Sequence, residues 1–186
     1  MRIVLWDLQS PINIGMILRT AEVFGAEVTA YDGHRIFEDA TRLQTIRDFA
    51  CGALERRPPR ILAEPVPVPS ARSVATAITA DAQSVRAFEF SHDDCIYLGN
   101  EYDGLPDDIL WGSDARVTIP MPDGYLPKPP SAHPIDPSRP DTVNSNGTPN
   151  LNVSAAAAII LFEAYSQFTQ HRPVAARMAP QRATVS

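Results

Sequence analysis

Only two cysteines, Cys51 and Cys95, occur in the 186 residues. Two thiols define no disulfide framework, and no cysteine–histidine cluster with metal-ligand spacing accompanies them. No stretch approaches the roughly 18 apolar residues of a membrane span. The apolar start MRIVLWDLQS is far too short for a signal peptide. These absences predict a soluble, cytoplasmic protein kept reduced, with no metal and no membrane partner. Internal repeats are absent. No strand pattern leads into GxGxxG, so a dinucleotide fingerprint is excluded. A positive total charge is lacking too: the net charge is −6, which does not advertise nucleic-acid binding.

What is present is a core. With 44% hydrophobic residues, a chain of this length supports one domain. The 18 prolines cluster at 58–69 and 122–149, where they mark loops. Charge is unevenly spread. Residues 81–114 carry Asp81, Glu89, Asp93, Asp94, Glu101, Asp103, Asp107, Asp108 and Asp114 against Arg86 alone. Arg35, Arg42, Arg47, Arg56, Arg57 and Arg60 form a richer basic stretch, and no acid follows Glu163. A basic patch is compatible with the acidic total, as is ordinary solvated surface charge.

Strand and helix patterns alternate. RIVLWDL reads as a buried strand. NIGMILRTAEVFG places Ile14, Ile17, Leu18, Ala21 and Phe24 on one helical face, with Asn13 as N-cap and Gly25 at the left-handed end position. EVTAYDG is a second strand, 36–49 is helical, and RILAEPV is a strand. SARSVATAITA reads as a capped helix. VRAFEF, CIYLGN and ARVTIPM read as strands, and LPDDILWG is a short helix started at Pro106. A long helix from about 153 to 169 closes the domain. The alternation predicts an α/β fold, a mostly parallel sheet with helices on both faces.

Three constellations stand out. Asn13 and Arg19 follow the first strand, where open α/β sheets bind ligands. Taken alone, they read equally as a cap and a surface arginine. YLGNEYDGLP runs a strand into Gly99, Asn100, Glu101 and Gly104, with glycines suited to close backbone approach and a tight turn. NLNVS offers the Asn150 and Asn152 amides and the Ser154 hydroxyl at a helix start, and TIPM lies upstream. Plain N-capping by Asn152 or Ser154 is the simpler alternative.

Taken together and in order, N-x-x-x-x-x-R, G-N-E-x-x-G-L and I-P-M followed by N-L-N-V-S resemble the TrmH-like branch of the SPOUT RNA methyltransferases. The resemblance spans residues 2 to about 168 and is nearest the minimal tRNA ribose 2′-O-methyltransferases of that branch. It implies a SPOUT domain over 1–170 with a C-terminal deep trefoil knot, a proline-rich insert at about 122–149, and a flexible basic tail at 171–186. It also implies a homodimer acting on RNA, tRNA or rRNA. By the match, S-adenosyl-L-methionine lies against Gly99, Ile119 and Leu151, with Leu98, Asn100, Gly104, Pro120, Met121, Asn150 and Asn152 around it. Arg19, Asn13 and Glu101 match the catalytic positions.

An arginine stays charged in proteins, which rules Arg19 out as an ordinary base. It is expected to lower the ribose 2′-OH pKa or to act with a phosphate, with Asn13 positioning and Glu101 orienting or receiving the proton. Two departures from the family pattern remain: Asn150 stands where serine is usual, and the insert is long, which fits a lid, a substrate-selecting arm or a surface excursion. The competing functions are a methyltransferase of the same fold acting on a small molecule, and a non-catalytic knotted RNA-binding protein.

Overall fold

The structure, a computed structural model, describes residues 1–65, 68, 72–121 and 151–170. The elements are β1 (Arg2–Trp6), α1 (Pro11–Phe24), β2 (Glu27–Tyr31), a 3-10 turn (Ile36–Glu38), α2 (Ala40–Ala50), α3 (Ala53–Arg56), β3 (Arg60–Leu62), β4 (Arg72–Thr76), β5 (Gln83–Ser84), β6 (Asp94–Leu98), α4 (Asp107–Gly112), β7 (Ala115–Thr118) and α5 (Val153–Gln170). The strands form one sheet in the order β3-β2-β1-β6-β4-β7-β5, and every pairing is parallel. Parallel strands need covering on both faces. Ile3, Leu5, Val74, Ile96 and Leu98 meet residues of α1, α2 and α5 on one face. Val4, Trp6, Ala75, Cys95 and Tyr97 meet Leu105, Ile109 of α4, and Val68 on the other. The expected α/β architecture is therefore present. The expected knot, the insert at 122–149, Asn150 and the tail at 171–186 fall outside the described residues.

Two segments differ from the sequence reading. Residues 72–76 are not a helix but strand β4, between β6 and β7. The alanines favour a helix locally, yet Val74 and Ala75 are completely buried on opposite sheet faces, and tertiary burial overrides the propensity. VRAFEF is not a strand. The ladder stops at Ser84, and Gln167 of α5 takes over: its side chain donates to the Phe88 carbonyl at 2.8 Å and accepts from the Phe90 amide at 3.0 Å. Phe88 and Phe90 then pack edge to face, 4.9 Å between centroids.

Helix α1 starts earlier than the pattern suggests. Ser10, not Asn13, is the N-cap, accepting from the Asn13 amide, with Pro11 at the first turn. Pro11 has no amide hydrogen to leave unpaired, which suits this place. Asn13 is thus inside the helix and buried, free of capping duty. The helix ends as expected at Gly25, φ 72°, which a residue with a Cβ adopts only at a cost.

Gly15 sets how close α1 approaches α2. A Cβ there would lie 2.7 Å from the Ile46 carbonyl oxygen and 2.8 Å from Phe49 Cβ. Glycine to alanine inside a helix ordinarily gains about 0.8–1 kcal/mol. Here the backbone of α2 stands in the way, so Gly15→Ala is expected to destabilise by about 1–3 kcal/mol. Urea denaturation measures this; a raised midpoint would mean the two helices separate freely.

Candidate functional site

Because all strands are parallel, their carboxyl ends share one edge, and the segments after β1, β4, β6 and β7 meet there. The loop after β6 is self-braced. The Asn100 and Gly104 backbones exchange hydrogen bonds of 3.1 and 3.2 Å. The Asn100 side-chain oxygen accepts from the Tyr102 and Asp103 amides at 2.8 and 2.7 Å. Gly99 has no room for a side chain, since a Cβ would run into the Gly104 and Leu105 backbone. Gly104 sits at φ 72°. The glycines are therefore needed for the turn itself.

That turn presents Glu101 to the start of α1. One carboxylate oxygen accepts from the Gln9 amide at 3.0 Å; the other accepts from the Ser10 amide at 3.3 Å and the Asn13 Nδ2 at 2.8 Å. Asn13 in turn accepts from the Asn152 Nδ2 at 3.0 Å, and the Asn152 oxygen accepts from the Ser154 amide and hydroxyl at 2.8 and 2.6 Å. One unbroken chain of hydrogen bonds thus joins the three sequence constellations, over separations of 88 and 139 residues. Asn152 does cap α5, as the simpler reading held, but its amide also serves Asn13. With its carboxylate held by three donors, Glu101 is engaged in placing α1.

Beside this relay lies a two-lobed cleft. One lobe, about 340 Å³, is lined largely by apolar groups, among them Ile78, Leu110, Ile119, Met121, Leu151 and Ile160. The second, also about 340 Å³, includes Leu98, Gly99, Asn100, Glu101, Asn152 and Val153. Thr76, Gly104, Leu105, Leu151 and Ala156 border both. The cleft so gathers Leu98, Gly99, Asn100, Gly104, Ile119, Met121, Leu151 and Asn152 of the expected ligand set. Pro120 is exposed and outside the lining.

One wall went unread in the sequence: Thr76, Ala77, Ile78 and Thr79, the segment after β4. The helix assignment hid it, although β-branched Val74 and Thr76 are a strand signal. Arg19 is not brought to this cleft. It is exposed on α1, donating from Nη1 to the Cys51 sulfur at 3.4 Å. Among the described lining residues there is no arginine, lysine or histidine.

Part of the acidic stretch is structural. Buried Asp94 takes a two-pronged contact from Arg72 at 2.8 Å for each bond. Asp81 pairs with Arg116 at 2.6 Å. The Ser73 amide and hydroxyl both donate to Asp114 and hold its carboxyl below the usual range. Burial pushes the Cys95 thiol upward, so it stays a neutral core group.

Residues 1–126 match the model of the SpoU rRNA Methylase family. An uncharacterised tRNA/rRNA methyltransferase of Synechocystis is 25% identical over 99% of this chain and 42% of its own length. The tRNA (guanosine(18)-2′-O)-methyltransferase of Escherichia coli K12 is 23% identical over 87% of this chain and 61% of its own. The chain therefore spans less than two thirds of the length of these relatives. Among solved structures, the SpoU methyltransferase AviRb of Streptomyces viridochromogenes in complex with AdoMet superposes with a TM-score of 0.66 at 22% identity, covering 90% of this chain and 60% of that one.

If the Glu101 carboxylate clamps α1, Glu101→Gln must turn an amide N–H towards at least one of the three donors. An unpaired, partly buried donor costs about 1–3 kcal/mol. Denaturation should show that loss with an unchanged slope; full stability would show that the clamp is dispensable.

Proposed function

Because the chain belongs to the SpoU rRNA Methylase family, we propose that it transfers a methyl group from S-adenosyl-L-methionine to a ribose 2′-hydroxyl of RNA, tRNA before rRNA. The single observation that carries this reading is the relay Glu101–Asn13–Asn152 placed against the cleft. The cofactor fits the residues present. Each lobe of the cleft has the volume of a small-molecule site, and one offers apolar cover for a ring system. A sulfonium cation meets no cationic side chain among the described lining residues. Leu98, Gly99, Ile119, Met121, Leu151 and Asn152 would hold it, together with Asn150 from beyond the described residues. When bound, it supplies an electrophilic methyl group, a chemistry that needs no metal.

The chain's residues do the rest by positioning and charge. Asn13 and Glu101 fix the start of α1 relative to the cleft. Arg19 provides a permanent cation that favours the deprotonated 2′-hydroxyl or binds the neighbouring phosphate that takes the proton. Since no described residue lining the cleft is cationic, Arg19 is assigned, as the family resemblance implies, to the cleft of a second copy. The surface supports that assignment. Ile12, Met16, Arg19 and Val23 form one stripe of α1, and its three apolar members are exposed. Phe162 and Tyr165 of the adjoining α5 are exposed too, with Phe24 between the helices, 6.3 and 5.6 Å from their rings. A contiguous apolar patch of this kind marks a contact surface, and a two-fold dimer buries it in both subunits at once. The trefoil knot of the family is part of this proposal.

Arg19→Ala should lower methyl transfer on tRNA by about 100-fold or more. The affinity for S-adenosyl-L-methionine measured by calorimetry should stay nearly unchanged, because the arginine acts in the transition state. Near-normal turnover would remove Arg19 from the mechanism, and no cofactor binding by the wild type would remove the enzyme. Sedimentation should give a dimer at micromolar concentration. Val23→Glu, which places a charge in the stripe, should shift it to monomer and abolish transfer. An active monomer would exclude the shared site.

A further inference from the structure

A second groove lies at the amino edge of the sheet, opposite the cleft. It measures about 330 Å³ and runs between the end of α1, α3 and the starts of β2 and β3. Four arginines line it, Arg2, Arg56, Arg57 and Arg60, with Glu22 and Glu27. Both carboxylates are already engaged. Arg56 grips Glu22 through two bonds of 2.7 Å, which hold the Glu22 carboxyl below its ordinary range. Arg2 pairs with Glu27 at 3.0 Å. Arg57 feels Glu22 at longer range. Among the described residues, neither the Arg57 nor the Arg60 guanidinium donates a hydrogen bond or forms an ion pair, and both residues are exposed. Two guanidinium forks therefore face solvent in a groove whose acids are spoken for.

The groove connects to Arg19. Arg19 donates to the Cys51 sulfur, and Arg56 donates from Nη2 to the Cys51 carbonyl at 3.2 Å. Arg19 and Glu22 lie one turn apart on α1. Arginines thus follow one another from Arg19 through Arg56 and Arg57 to Arg60. The choice of residue matters: all but Lys128 of the chain's 16 cationic residues are arginine, the side chain whose planar fork matches a phosphate. With a net charge of −6, the surface as a whole repels a polyanion, so docking must rely on a local run of cations.

We propose that this groove holds the phosphodiester backbone of the RNA strand whose ribose is presented beside Arg19. The proposal rests on the RNA reading above and adds where the strand leaves the site. Its test uses the full chain and unfractionated tRNA. Arg57→Ala combined with Arg60→Ala should weaken tRNA binding about tenfold or more near 0.1 M salt, and reduce the log–log salt slope by about 1–2. The same loss should appear in the KM for tRNA, while cofactor affinity stays unchanged. Lysine at both positions should keep most of the slope.

An unchanged tRNA affinity and slope in the double alanine variant overturns the proposal. So does displacement of tRNA by millimolar inorganic phosphate at constant ionic strength, which would mark a free-anion site. Arg19→Ala separates this from the mechanism. Should that variant keep turnover, the Arg19 assignment falls, and the groove with it if the double variant binds tRNA normally. A wild type that binds neither tRNA nor rRNA removes both.

Discussion

The structure turns on one carboxylate. Glu101 sits at the tip of a glycine-braced loop and gathers two backbone amides and one side-chain amide from the entry to α1. Those amides belong to a chain leaving a parallel strand, where no ladder partner remains for them. Leaving such donors unpaired is expensive, so the acid is held where they are. Asn13 passes the constraint on to Asn152 and the first turn of α5. Three segments far apart in sequence are thereby fixed against one another by polar contacts, in addition to the apolar packing of α1 on α5. That is why the irregular start at Leu151 and Asn152 abuts so regular a helix: the Asn152 amide is occupied by Asn13 and Ser154.

The parallel order of the sheet supplies the other half. It sends every carboxyl end to one edge, so loops from β1, β4, β6 and β7 converge without any long-range design of their own. Both faces carry buried aliphatic residues, each worth about 1.5–3 kcal/mol on burial. The rigid layers so formed hold the loop bases in place. The amino edge is left to a different task. There the helix ends and strand starts bring arginines together, away from the apolar lobe.

Much of this was legible in the sequence, for definite reasons. The apolar spacing of α1, the glycine at its end and the alternation of strands and helices follow from local physics. The cleft residues in the loop after β6 and at the start of α5 were named by the family resemblance of the motifs, not by local physics. What was not legible depended on distant partners. Residues 72–76 look helical until Val74 and Ala75 are placed between two strands. Asn13 looks like a cap until Ser10 takes that role, and Glu101 looks like a spare base until three donors occupy it. Charge was misleading in the same way: Asp81, Asp94 and Asp114 read as a field of acids, yet each is consumed by a particular neighbour.

The separation between the relay and Arg19 then acquires a physical meaning. A cation inside the cleft would oppose a sulfonium and weaken its binding before any acceptor arrived. A cation absent altogether would leave the developing alkoxide without a partner. Mounting the arginine on an exposed helical stripe, flanked by Ile12, Met16 and Val23, answers both demands if that stripe docks onto another copy. In such a dimer the apolar residues would supply the association, and the guanidinium would reach a cleft whose described lining residues include no cation. Its own anchor is weak, a single donation to a cysteine sulfur at 3.4 Å. A thiol sulfur is a poor acceptor, so little is lost when the arginine turns from Cys51 to an incoming phosphate.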